Sequence, residues 1–268
     1  MVNPYSVLMS VYAGENAVNL RASIDSVFAQ DFLPAEFVLV IDGPIGSSLQ
    51  EVINSYPSIK TVRLDSNRGL GAALNDGLRH VSYEFVARMD SDDIAMPTRM
   101  GLEYAKLLEG LDLVSSAILE FEESVENITG RRDLPCNEED IVLFSRKRNP
   151  FNHPSVMFRK SAVLAAGGYN SDFPYFEDYD LWVRMLMNGA RVANIEEPLL
   201  YMRTDEGMFL RRGGKEYGRI MLNYHRSLME RGWTTKKDYL TGAIPHYLVC
   251  IMPEFIRKFV YRRLHRKT

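Results

Sequence analysis

Phe85-Val86-Ala87-Arg88-Met89-Asp90-Ser91-Asp92-Asp93 decides how the first half of this chain folds. Phe85–Met89 has the makeup of a buried strand, and acidic residues crowd the positions where that strand stops. The same succession recurs upstream. Ser6–Val11 and Phe37–Ile41 are continuous apolar runs, as strands covered on both faces require, and they stop at Tyr12 and at Asp42-Gly43. Between them, Ala17–Gln30 sets Leu20, Ile24, Val27 and Phe28 at helical spacing. Helical Leu49–Tyr56, extended Thr61–Leu64 and helical Leu70–Val81 continue the alternation. Pro97–Leu108 reads as a helix with Pro97 in its first turn, and Leu111–Ser115 as a short strand. Strand and helix in turn predict an α/β fold with a doubly wound, mostly parallel sheet. Ligands of such sheets lie outside the carboxyl ends of the strands. Ser10-Val11-Tyr12, Asp42-Gly43 and Asp90–Asp93 are thereby expected on one edge.

The alternation weakens after residue 116. Acidic 118–132 reads as a hairpin or an insertion, and 138–148 as a short helix that Asn137 would cap. Ser155–Phe158 and Arg191–Asn194 are expected strands, with a helix over Asp178–Asn188 closed by Gly189. From Lys215 the pattern is helical, interrupted at Gly232, Pro245 and Pro253.

Composition narrows the classes of function. With 46% hydrophobic and 25% charged residues, the 268-residue chain is that of a folded protein holding one large α/β domain. A net charge of −3 argues against a nucleic-acid binder. The two cysteines, Cys136 and Cys250, form neither a disulfide framework nor a metal-ligand pattern, so a reducing, cytoplasmic location is expected. The first residues lack the basic and apolar regions of a secretory signal, and no run approaches the ~18 apolar residues of a spanning helix.

Three segments carry chemistry. The carboxylates of Asp90, Asp92 and Asp93 repel one another, and a divalent cation such as Mg²⁺ or Mn²⁺ would relieve that repulsion. The plainer alternative is a solvated acidic loop leading into the next helix; its place after a buried strand favours the metal. In Phe176-Glu177-Asp178-Tyr179-Asp180-Leu181-Trp182, aromatics surround the acids, so a desolvated carboxylate with a raised pKa is expected there, suited to a general base. Alternatively Asp178 caps a helix whose Leu181, Trp182 and Met185 are core. Asn67-Arg68-Gly69-Leu70-Gly71-Ala72-Ala73-Leu74-Asn75 is not a dinucleotide fingerprint, since Leu74 stands at the third glycine. Its small residues still let backbone approach a ligand. His153 either lines the acceptor side of a site or satisfies its own loop.

Taken together, these segments resemble the family 2 glycosyltransferases of bacterial polysaccharide synthesis, which have the GT-A fold. The resemblance runs from Ser6 to about Arg212, over Ser6–Tyr12, Val40–Gly43, Asn67–Asn75, Asp90–Asp93, His153-Pro154-Ser155 and Glu177-Asp178. It implies a catalytic domain over 1–212, with a nucleotide-sugar half (1–116) and an acceptor half (117–212), followed by a helical region over 213–268. It further implies that Ser10, Val11, Tyr12, Asp42, Arg68 and Asn75 hold the nucleoside of a nucleotide-diphosphate sugar, commonly a UDP-sugar. Asp90 and Ser91 would meet its ribose and diphosphate, and Asp92 would hold Mn²⁺ or Mg²⁺. Asp178 would be the base, with His153, Glu177 and Trp182 on the acceptor side. The activity implied is inverting transfer of a sugar to a lipid-linked or polysaccharide acceptor. No Gln-x-x-Arg-Trp motif of processive members is present, so one sugar per acceptor is expected. Members often place a His soon after Tyr-x-Arg; here Tyr201-Met202-Arg203 has none up to Arg212, leaving Arg203 or Arg211 as the diphosphate clamp.

Two other classes fit the sequence less well. A non-catalytic scaffold of a polysaccharide-assembly complex would have little reason to keep Asp92 and Asp178. A nucleotidyltransferase would need a basic, glycine-rich loop after its first strand, where this chain has Tyr12-Ala13-Gly14-Glu15-Asn16. Finally, residues 254–268 carry six Lys or Arg against one acid, with Phe255, Ile256, Phe259, Val260 and Leu264 on one helical face. That pattern predicts peripheral contact with an anionic membrane on its inner face, aided by Arg146-Lys147-Arg148, unless the tail docks on the body.

Overall fold

The computed structural model describes residues 4–204 and 213–252. Four strands form the parallel half of the sheet: β1 (Tyr5–Tyr12), β2 (Glu36–Asp42), β3 (Lys60–Arg63) and β4 (Phe85–Asp90). Helices α1 (Ala17–Phe28), α2 (Ser47–Asn54) and α3 (Leu70–His80) connect them. The order across this half is β3-β2-β1-β4. Strand order therefore reverses at β1, and beyond the carboxyl ends of strands at such a switch point sheets of this kind bind ligands.

The other half is mixed, because its strands return by hairpins and long loops as well as by crossovers. Strand β5 (Ile94–Ala95) precedes α4 (Arg99–Leu108), and β6 (Leu113–Phe121) and β7 (Ile128–Arg132) follow. Then come α5 (Glu138–Phe144), a 3₁₀ turn over His153–Ser155, β8 (Met157–Arg159), α6 (Lys160–Ala165), α7 (Glu177–Met187) and β9 (Val192–Arg203). β8 lies antiparallel between β4 and β6, β6 and β9 are parallel, and β5 closes the order antiparallel to β9. Acidic 118–132 is the hairpin of β6 with β7. The expected strands at 111–115 and 191–194 are the starts of longer β6 and β9, and the one expected at 155–158 begins only at Met157. Pro97 lies two residues ahead of α4 rather than in its first turn. Asn137 does cap α5, its side chain accepting from the Asp140 amide.

Apolar side chains alternate between the two sheet faces. Val7, Met9, Leu39 and Ile41 meet α1, α2 and α4 on one face, while Leu8, Val38 and Val40 meet α3 and α7 on the other. Helix α3 sits so close to the sheet that a Cβ on Gly77 would lie 2.8 Å from Val40 Cγ2. Any larger residue there would push α3 off the sheet.

A third cluster joins α7 to the C-terminal helices. Tyr217, Met221, Tyr224 and Leu228 of α8 (Gly214–Glu230) pack on Phe176, Tyr179 and Val183. Arg231 donates to Asp180 Oδ1 at 2.8 Å and Arg184 to Asp180 Oδ2 at 2.7 Å, so the fully buried Asp180 carboxylate has a cation on each oxygen. His225 of α8 lies against the Tyr179 ring. Burial, and then the charge of His246, hold its pKa down at about 4. Unfolded, it would titrate near 6.5, so the unfolded chain binds the extra proton between those values and stability falls as pH drops through that window. We expect a loss of roughly 3 kcal/mol at most from this residue. Thermal melts from pH 7 to pH 4 should show the decline, and His225→Gln should make it shallower.

Candidate functional site

The site forms where the ends of β1, β2 and β4 converge. Register sets Ser10 beside Asp90 and Tyr12 beside Asp42. Val11 is buried and offers a ligand only its backbone, whereas Tyr12 is exposed. Gly43 follows β2 with φ +85°, and a Cβ there would stand 2.5 Å from the Asn67 nitrogen. Glycine alone lets the two loops cross so tightly. That crossing brings the amides of Arg68 and Gly69 to the Asp42 carboxylate at 2.7 and 3.0 Å. Asp42 thus fixes the entry to α3. Arg68 turns along α3 to pair with Asp76 at 2.5 Å. Asn75 ties α3 to the 168–169 turn, donating to the Tyr169 carbonyl at 2.7 Å and accepting from the Tyr169 amide at 2.8 Å.

The acidic run clusters as its spacing implied. Ligand oxygens of Asp90, Asp92 and Asp93 lie within 4.8 Å of one another. Asp90 is held by the guanidinium of Arg88, which is almost fully buried two residues earlier on the same face of β4. Ser91 donates to Glu15 at 2.7 Å. Burial first, then the charges of Asp90 and Glu15, push the Asp92 carboxyl up to about 7. Asp93 is pushed well above the carboxylate range by burial and by Asp92 and Asp90. One Asp93 oxygen accepts from the Arg203 amide at 2.7 Å; the other is buried without a hydrogen-bond partner among the described residues. Arg203, at the end of β9, donates to the Asp92 carbonyl at 3.0 Å and lies over the Phe121 ring. The expected clamp residue is therefore at the acidic cluster. Arg211 and the basic tail lie outside the described residues.

Asp178 enters from α7. It does not cap that helix: the cap position is Phe176, and no side chain caps it. Its Oδ1 accepts from the Tyr179 amide at 2.7 Å and its Oδ2 from Asn149 Nδ2 at 2.7 Å. The raised carboxyl of this segment is Glu177, which burial pushes up to about 7. Asp178 adds to that rise, and the amides of Glu177, Tyr175 and Phe176 oppose it. Trp182 does not face an acceptor. It is fully buried among Phe151, His153, Phe158 and Tyr169, because the fourth to sixth positions of α7 point into the core. His153 bonds the Tyr169 hydroxyl at 3.1 Å, and burial together with the charge of Arg88 holds its pKa well below the usual range. His153 is neutral at physiological pH.

Tyr169 joins the two acidic segments. Burial pushes the Tyr169 hydroxyl up, and the charges of Arg88, Asp178, Asp90 and Glu177 also bear on it, so the end of β4 and the start of α7 both lie near this ring. Asn149, Arg88, Glu15 and Tyr169 were not singled out from the sequence. Of these, only Arg88 leaves a local signal: a cation inside an apolar strand, in step with the acid that ends it.

A divalent cation fits these residues. Three clustered carboxylates, two with raised pKa values and one with an unpartnered buried oxygen, carry repulsion that such an ion offsets. Asp92 would hold it, with the unpartnered Asp93 oxygen beside it, since both Asp90 oxygens are paired with Arg88.

Comparison with known proteins agrees with this geometry. The profile of Glycosyl transferase family 2 matches residues 6–167. The chain is 33% identical over 270 residues to the UDP-Gal:alpha-D-GlcNAc-diphosphoundecaprenol beta-1,3-galactosyltransferase of Escherichia coli, covering 98% of this chain and 97% of that one. It is 34% identical over 267 residues to the amylovoran biosynthesis glycosyltransferase AmsE of Erwinia amylovora, covering 97% and 98%. Among solved structures, S. aureus TarS 1-349 in complex with UDP-GlcNAc superposes with a TM-score of 0.62 at 19% identity. That match covers 82% of this chain but 64% of the TarS fragment, and 38% of the longer TarS chain. The shared fold is GT-A. With its profile spanning most of the chain and relatives alike over nearly their whole length, the protein belongs to glycosyl transferase family 2 and is a glycosyltransferase.

Proposed function

We propose that the protein transfers one sugar, with inversion, from a UDP-sugar to a lipid-linked or oligosaccharide acceptor in surface-polysaccharide assembly, at the cytoplasmic face of the membrane. The observation that carries this reading is the clustering of Asp90, Asp92 and Asp93 at the end of β4, together with Asp178 in the first turn of α7. The cluster would meet a charged leaving group, and Asp178 would take a proton. The names of relatives support the substrate classes: the E. coli enzyme uses UDP-Gal and a diphosphoundecaprenol-linked acceptor, and TarS binds UDP-GlcNAc.

In this reading Ser10, Tyr12 and the 67–69 loop that Asp42 fixes receive the nucleoside, with Arg68 at the rim. Asp90 and Ser91 lie along the ribose and diphosphate. A bound Mn²⁺ or Mg²⁺ would neutralise charge on the departing nucleoside diphosphate. Asp178, held by Asn149, accepts the proton of the acceptor hydroxyl. The acceptor oxygen attacks the anomeric carbon from the face opposite the diphosphate, the carbon–oxygen bond to the diphosphate breaks, and configuration inverts. Arg203 stabilises the leaving group from the β9 side.

Calorimetric titration of UDP, GDP and dTDP with Mn²⁺, repeated with EDTA and with Asp92→Ala, tests the donor half. UDP binding that disappears in both controls is the expected result. Absence of binding by all three nucleotides to folded protein would overturn the UDP-sugar donor and the metal site of this reading.

A further inference from the structure

The last described helix is apolar on its outer face. Residues Tyr239–Ala243 form a π-helical turn that runs into α9 (Ile244–Cys250). On the inner side Tyr247 and Cys250 pack against Gly218 of α8, where a Cβ would come within 2.8 Å of the Tyr247 ring. A helix docked in this way normally turns polar residues to water. Here Leu240, Leu248 and Ile251 are 63%, 51% and 40% exposed, in step along one stripe.

Cations border that stripe. Lys236 and Lys237 are exposed at its start, and the stem of Lys147 runs against Gly242. Asp238, the acid within this border, is tied to Thr235 through its amide and hydroxyl at 2.9 and 2.8 Å, and it lies in the field of Arg146 and Lys147. The surface therefore presents aliphatic side chains rimmed by positive charge, the complement of an anionic lipid bilayer. It also leads directly to the catalytic carboxylate: two residues after Lys147, Asn149 donates to Asp178.

We infer that the outer face of residues 239–251, with Lys147, Lys236 and Lys237, docks on an anionic membrane and so holds the Asp178 side of the site near lipid-borne acceptors. This rests on the lipid-linked acceptor proposed above. Leu240, Leu248 and Ile251 would enter the headgroup boundary while the lysines meet anionic headgroups.

Flotation of the full chain with vesicles of phosphatidylglycerol and phosphatidylcholine, against phosphatidylcholine alone, tests the inference. Wild type should float with the anionic vesicles and lose binding at high salt. Leu240→Asp with Leu248→Asp should weaken flotation about tenfold, and Lys147→Glu with Lys236→Glu should do the same. Both pairs should keep the wild-type melting temperature and wild-type transfer to a short water-soluble acceptor. The exposed lysine pair keeps the test open even where the leucine pair folds poorly. Unchanged flotation of both pairs would overturn the inference, leaving the basic 254–268 segment to carry any binding. So would a wild type that does not float but forms a dimer that Leu240→Asp with Leu248→Asp dissociates. Flotation needs no turnover, so failure of the lipid-linked acceptor reading appears separately, as absent transfer to such an acceptor by wild type.

Discussion

Asp178→Asn is expected to lower kcat about a thousandfold while the protein folds and binds UDP as the wild type does. The amide keeps the shape of the carboxylate and can still meet Asn149, but it has no basicity toward an acceptor hydroxyl. Nothing of the apolar core depends on the residue, since the buried contacts of α7 are made by Tyr179, Leu181, Trp182 and Val183. Donor affinity should therefore stay close to wild type, and the loss should fall on kcat. Steady-state assays with donor titration check both points. Turnover at the wild-type rate would remove Asp178 as the base and shift attention to Glu177, whose carboxyl is pushed up to about 7 next door. In an Asp178→Asn background, Asn149→Ala should have little further effect, because its contribution passes through the Asp178 carboxylate.

Asp90→Ala is expected to destabilise the fold by about 3 kcal/mol, more than Arg88→Met does. The asymmetry follows from burial. Arg88 is 1% exposed and Asp90 about a third exposed. Removing the acid strands a guanidinium in the interior, whereas removing the base leaves a carboxylate that water still reaches. Arg88 sits within a stretched network, since Arg99 donates to the Arg88 carbonyl at 2.8 Å and pairs with the fully buried Glu103 at 3.0 Å. Its own charge also bears on His153 and Tyr169. Adding Arg88→Met to Asp90→Ala should recover most of the lost stability, because no unpaired guanidinium is then left buried. Activity should stay low in the double variant, since the proposed reading places Asp90 along the donor. Thermal melts and transfer assays on the three variants separate the two effects.

The first half of the fold was legible in the chain because its signals are local. Continuous apolar strands, helical spacing between them and acids at the strand ends are each written within ten or so residues, and β1 to β4 appear where those patterns stand. After residue 116 the strands pair at long range and partly antiparallel, with β8 inserted between β4 and β6. No local pattern encodes that insertion, so β6 and β9 were read too short. The acidic run and Glu177-Asp178 were visible as chemistry for the same reason as the strands: each is a compact cluster of like charges, costly unless a ligand or a proton accounts for it.

Tertiary structure alone decided what each of those charges does. Sequence could name Asp178 but not Asn149, which reaches it from 29 residues away. It left Trp182 either in the core or on the acceptor side, and the aromatic wall formed by Phe151, Phe158 and Tyr169 decided for the core. It placed Asp90 at a strand end without showing that Arg88 claims its carboxylate, or that Arg203 closes on Asp92 and Asp93 from the far side of the sheet. The sequence by itself determined the parallel half-sheet and the gathering of Asp90, Asp92 and Asp93 at its carboxyl edge, since these follow from periodicity and local charge. Which acid is paired, which is desolvated and which is left to act depended on groups brought together across the sheet, because Coulomb and desolvation energies follow distance in space rather than along the chain.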